Sequence, residues 1–198
     1  MIWWCKVRAV PVIALATIGT VALGLLVGNL ELPVPVLVGQ SGQFLLAHLM
    51  TLIPAVTLLY GFGRGETRTE GIAVRDLRSW DAALGLLVAA GGMLAAVLSH
   101  VALSSDLAVI LGRNVAGYVG LALLLHPVLG TRLTGATLAA IPLVLAASGW
   151  GPSGDAKSWA WLLHPADSTL AMATALGAVC VGATTTAFWT RPPLRIDT

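Results

Sequence analysis

Reactive and ionisable side chains are few, and most stand in strongly apolar surroundings. Arg113 and Asn114 lie inside the apolar run from Leu107 to Leu129. An arginine at mid-helix in hydrocarbon costs about 2.5–3.5 kcal/mol on insertion scales, so an ionisable group there is a functional candidate by default. Asp106 stands seven residues before Arg113, on nearly the same helical face, and Tyr118 stands four after Asn114, where the two stack on one face. Two readings stay open for these four residues: a structural Asp106–Arg113 clamp, or a polar cluster on a translocation path. His48, His100 and His126 occupy separate apolar runs, with no two at ligand spacing on one helix, so no metal site is expected. Cys5 and Cys180 form no CxxC and no disulfide framework.

Gly39-Gln40-Ser41-Gly42 invites comparison with the serine motif of rhomboid intramembrane proteases. That chemistry needs a histidine base from another helix, and neither the family's pattern around the histidine nor its Trp-Arg loop element occurs here. Following Pro33 and Pro35, the four residues read as a plain turn. No GxxxxGK[ST] loop and no paired carboxylates are found either, so the chain is not expected to be an enzyme by itself or to hydrolyse ATP.

Two connecting segments carry the remaining signals. Residues 63–81 hold four arginines against Glu66, Glu70, Asp76 and Asp81. Ile72, Leu77 and Trp80 stand apart from Arg75, Asp76 and Arg78, which suits a short interfacial helix. It serves either as a self-neutralising turn or as a docking element for a cytoplasmic protein, since balanced charge around an apolar anchor suits a protein surface better than anionic lipid. Residues 150–167 open on a Gly/Pro turn and continue through Lys157, Trp159, Trp161, Leu162, Leu163 and His164 to Asp167. This stretch is too apolar for a free loop and too short to cross a bilayer. A re-entrant helix packed on the bundle, or a Trp-anchored interfacial helix, is expected there.

Composition dictates the scaffold that carries these residues. Of 198 residues 57% are apolar and 10% charged, with a net charge of +2, and the mean hydropathy is +0.88. A globular fold of this length cannot bury so many apolar side chains, which excludes a soluble enzyme, a nucleic-acid-binding domain and a disordered tail. Runs of about 20 apolar residues occur at 7–30, 44–62, 82–103, 107–129, 133–149 and 168–190. The fifth is short and contains Pro142. With the N-terminus in the cytoplasm, Lys6, Arg8, Arg64, Arg68, Arg75, Arg78, Arg132, Arg191 and Arg195 all face inward. The expectation is a single all-α transmembrane domain over residues 1–198, multi-pass in the cell membrane. It has six spans, both termini inside, and the re-entrant or interfacial helix between spans five and six. Spaced small residues, among them Gly112, Gly117, Gly120, Ala173 and Gly177, predict close helix packing or self-association.

This arrangement resembles the membrane subunit of ABC-2-type exporters. In that family the inner loop between spans two and three docks on the ATPase, and an insertion before the last span forms re-entrant helices. The strings Arg113-Asn114-Val-Ala-Gly-Tyr118 and Trp159-Ala-Trp161-Leu162-Leu163-His164-Pro-Ala-Asp167 also look like small actinobacterial membrane proteins that accompany an ABC ATPase, often in peptide natural-product systems. Family members begin with an amphipathic helix lying along the membrane, whereas six residues precede Val7 here. The resemblance implies a permease subunit exporting a peptide or other amphipathic product. Its partners would be an ABC ATPase that holds the ATP and magnesium, a second membrane subunit or another copy of the chain, and lipid. This chain would bind no cofactor of its own. A small intramembrane enzyme and a non-transporting structural or immunity protein are the alternatives.

Overall fold

The computed structural model describes residues 2–27, 30, 46–64 and 77–188. The described chain is all-helical apart from turns and one isolated bridge. Among the described residues, five helices are long and apolar enough to cross a membrane.

Helix α1 (Ile2–Val7) is parted from α2 (Val10–Val27) at Arg8 and Ala9. Ala9 has φ 52, a left-handed conformation that costs an alanine about 1–2 kcal/mol. The expected first span from Val7 therefore begins three residues later. On α2, Ile13, Thr17, Thr20, Val21 and Gly24 recur at helical spacing and are buried, while Leu15, Ile18 and Leu26 are exposed. One stripe meets the bundle and the rest suits lipid.

The second apolar run is two collinear pieces, α3 (Leu46–Met50) and α4 (Leu52–Gly63). Pro54 has no N–H to offer the carbonyl of Met50. At the break, the Thr51 hydroxyl donates to the carbonyl of His48 at 2.7 Å. Helix α5 spans Leu77–Leu103, and its first turn takes up residues 77–80 of the stretch expected to form a short interfacial helix, whose earlier residues, Ile72 among them, lie outside the described residues.

The fourth and fifth apolar runs are two helical limbs joined without a polar loop, together α6 (Asp106–Ser148), with the break at Gly130. A straight helix of its 43 residues would run about 65 Å, twice the hydrocarbon thickness. It turns instead at Gly130, whose φ 75 and ψ 173 lie in a region essentially reserved for glycine. Both ends of α6 then meet the same segment, 149–165, so its limbs (106–129 and 131–148) form a hairpin.

The first limb is the axis of the bundle. Residues 111–120 are buried on every side, between α4, α5 and α7 (Thr169–Phe188). Close approach to α7 needs glycine: a Cβ on Gly120 would lie 2.5 Å from the backbone of Ala178 and Val179. Farther along, the Thr186 hydroxyl donates to the carbonyl of Leu123 at 2.7 Å.

Candidate functional site

Two polar constructions interrupt the apolar packing, one at each end. At the end where α4 finishes and α5 begins, Arg8 is buried. Its Nε donates to Asp81 Oδ1 at 2.9 Å and its Nη2 to Oδ2 at 2.7 Å. Nη1 donates to the carbonyl of Phe62 at 3.1 Å. This fork-on-carboxylate geometry is the strong form of an ion pair, and it ties the α1–α2 corner to both neighbouring helices. Beside it Trp4 and Trp80 meet with ring centroids 5.8 Å apart, and Phe62 stacks near His126 at 5.0 Å. Gly61 admits this corner, since a Cβ there would come 2.5 Å from the carbonyl of Arg8. In the sequence Arg8 registers only as an orientation charge. Its partner is 73 positions away, and no local spacing signals such a pair.

Of the expected docking residues, Leu77, Arg78 and Trp80 form the first turn of α5, with Arg78 and Trp80 exposed. Arg75 and Asp76 lie outside the described residues, as does Ser41. Asp81 faces inward to Arg8, so one of the four acids that balance the loop does not serve its surface.

The opposite end is closed by a cap, residues 149–168, that lies along the first limb of α6. Its Gly/Pro turn is as expected: Gly151 N–H donates to Asp155 O at 2.8 Å, Gly154 takes φ 84, and Trp150 bridges Ala156. Beyond the turn, the expected re-entrant or interfacial helix is absent, and the chain makes only a single 3-10 turn, Trp161–Leu163. Lys157 anchors the segment by donating from Nζ to the carbonyl of Ser148 at 2.9 Å, at the C-terminus of α6. His164 Nε2 lies 3.1 Å from the carbonyl of Lys157. Since a carbonyl only accepts, the proton is on Nε2, and Nδ1 faces the Ser168 hydroxyl at 3.4 Å. Ser168 Oγ in turn caps α7 by accepting from the N–H of Ala171.

Non-helical backbone against an apolar bundle needs its polar groups satisfied by protein, and Arg113 and Asn114 do that. Arg113 Nη1 donates to the carbonyl of Pro165 and Nη2 to that of His164, each at 2.7 Å. Nε reaches Asn114 Oδ1 at 3.4 Å, and Asn114 Nδ2 reaches the carbonyl of Leu162 at 3.4 Å. One turn on, Tyr118 meets Trp161 edge-on at 5.7 Å, and Gly117 leaves room for the same indole. Leu162 and Leu163 are buried, while Trp159 remains 50% exposed.

The cluster of Arg113, Asn114 and Tyr118 is thus one site, and Asp106 is not part of it. The Asp106 carboxylate is exposed and lies 3.8 Å from His100. Spacing on one helix suggested the Asp106–Arg113 clamp, but the long arginine side chain turns to a segment some 50 residues later. Among the described residues no group of three or more metal-binding side chains gathers. Compared with known proteins, the chain matches no family model, no curated protein and no solved structure.

Proposed function

We propose that the chain is the membrane subunit of an ATP-driven exporter of the ABC type, moving a peptide or similar amphipathic product out of the cell. In this reading the two limbs of α6 each cross the bilayer. Together with α2, the α3–α4 run, α5 and α7 they make six crossings, with both termini in the cytoplasm and the cap outside. The positive-inside bias supports that orientation. The observation that carries the reading is the rigid corner at the basic end. α1 is a short helix set off before the first span, and Arg8–Asp81 and Trp4–Trp80 clamp it to the first turn of α5. A motor protein pushing on Arg78 and Trp80 would move α1, α2 and α5 together rather than deform a loop. Since α6 is packed on all sides over residues 111–120, the cargo path runs along an interface with a second subunit or a second copy.

The test is charge reversal at Arg75 and Arg78. In membranes holding the chain and its ATPase, Arg75→Glu with Arg78→Glu should abolish cargo-stimulated ATP hydrolysis while leaving insertion and abundance intact. Undiminished coupling in the correctly inserted variant refutes the docking role.

A further inference from the structure

We infer that Arg113, Asn114 and Tyr118 form a binding seat for the oxyanion head, carboxylate or phosphate, of an amphiphile, which the cap occupies with its own backbone. Three observations carry this. First, Arg113 is fully buried, and among the described residues it meets only neutral acceptors: two carbonyls and an amide oxygen. A buried charge without a counter-charge is costly. Satisfying the cap's carbonyls needs only neutral donors, as Asn114 demonstrates for Leu162, so the full charge is in excess of that task. Second, the carbonyls of His164 and Pro165 each sit 2.7 Å from one terminal nitrogen of the guanidinium. Two oxygens on the two prongs of the fork is the arrangement a carboxylate or phosphate adopts on arginine, and a charged acceptor binds there more strongly than a neutral one. Third, the Tyr118 hydroxyl is buried with no hydrogen-bond partner, on the helix flank that Trp161 covers. It is a spare donor beneath the same cap segment, and a further oxygen of a bound head would use it.

The surroundings define the ligand's apolar body. Trp161, Leu162 and Leu163 pack on the seat, and Trp159 reaches outward half-exposed. A head that displaces the two carbonyls lifts this apolar segment, and the chain of an amphiphile replaces it. The cap is then a self-supplied competitor. The stretch that lifts, 158–167, is fixed on one side by Lys157 on Ser148 and on the other by Ser168 at the start of α7, and released between them. The seat is independent of any ATPase partner.

The experiment uses the full chain in phosphatidylcholine nanodiscs, with Cys5 and Cys180 changed to serine and Ala160→Cys as a reporter, since Ala160 is fully buried in the closed cap. Its rate of reaction with a polar maleimide reads cap opening. Laurate, lauryl phosphate and lauryl alcohol share one chain and differ in head. At least one oxyanion should speed labelling in a saturable way, the alcohol should not, and the more potent head identifies the source as a carboxylate or a phosphate. Arg113→Gln should abolish the effect. Tyr118→Phe keeps the packing and removes one hydrogen bond to a charged acceptor, so the half-saturating concentration should rise about tenfold. Equal acceleration by the alcohol, or none by either oxyanion, overturns the inference. If Arg113→Gln does not fold, Tyr118→Phe decides alone: an unchanged oxyanion response there overturns it as well.

Discussion

Asp81→Asn tests the corner most severely. The Arg8 and Asp81 side chains are 2% and 14% exposed, so the pair is held largely out of water. The asparagine oxygen can keep one of the two guanidinium bonds, but its NH2 group sets a donor against a donor at the other. Arg8, a buried cation, then keeps the carbonyl of Phe62 but loses its bidentate carboxylate. Removing one partner of a buried pair costs about 3–5 kcal/mol, and Asp81→Asn should fall near the low end because one bond survives. Arg8→Met leaves a carboxylate that can take up a proton or meet water, so its cost should be smaller, about 1–3 kcal/mol. The double variant Arg8→Met with Asp81→Asn removes both charges of the pair and should cost less than the two single changes added together. Unfolding in mixed micelles titrated with dodecyl sulfate, followed by tryptophan fluorescence and circular dichroism, gives all three values. The interaction energy should reach about 2 kcal/mol; additivity within about 0.5 kcal/mol would show that the ion pair does not hold the corner.

Three further outcomes are expected. Gly120→Ala should destabilise by about 1–3 kcal/mol through overpacking, because its Cβ meets the backbone of α7, whereas Gly177→Ala, with nothing within 4 Å, should stay within about 0.5 kcal/mol; the same unfolding assay compares them. Gly130→Ala should cost about 1–3 kcal/mol, since φ 75 with ψ 173 excludes a side chain, and equal stability would deny the elbow. Lys157→Ala should loosen the cap and cost about 1 kcal/mol, seen as faster proteolysis between residues 150 and 160 with the helices intact.

The apolar runs are legible because lipid imposes length and composition on a span, and α2, α5 and α7 fall close to their expected places. The turn at Gly151–Gly154 is legible from its glycines. Arg113 stands out from its surroundings alone, but its partners do not. Spacing along one helix proposes only neighbours on that helix, and Asp106 is the nearest of opposite charge. Backbone carbonyls, the actual acceptors, carry no sequence signature. Arg8 is hidden for a related reason: the same residue type marks topology on any membrane protein, and Asp81 lies 73 positions away in the sequence. The division of α6 at Gly130 falls between the apolar runs 107–129 and 133–149, but the form of the join is illegible, because one glycine makes the elbow without the polar loop that usually separates two spans. The cap's apolar residues predict burial correctly for Leu162 and Leu163, but four of them in five positions cannot distinguish a helix from a 3-10 turn held by side chains of another element.

The central claim, that this chain works as the membrane half of an ATP-driven exporter, is tested most directly by extracting the tagged chain in mild detergent from the membranes in which it is natively made and measuring ATP hydrolysis by the eluate. A second protein with a nucleotide-binding loop should elute at fixed stoichiometry, with vanadate-sensitive hydrolysis that Arg75→Glu with Arg78→Glu removes together with that protein. A chain eluting by itself, with hydrolysis no greater than that of a mock preparation, would contradict the claim.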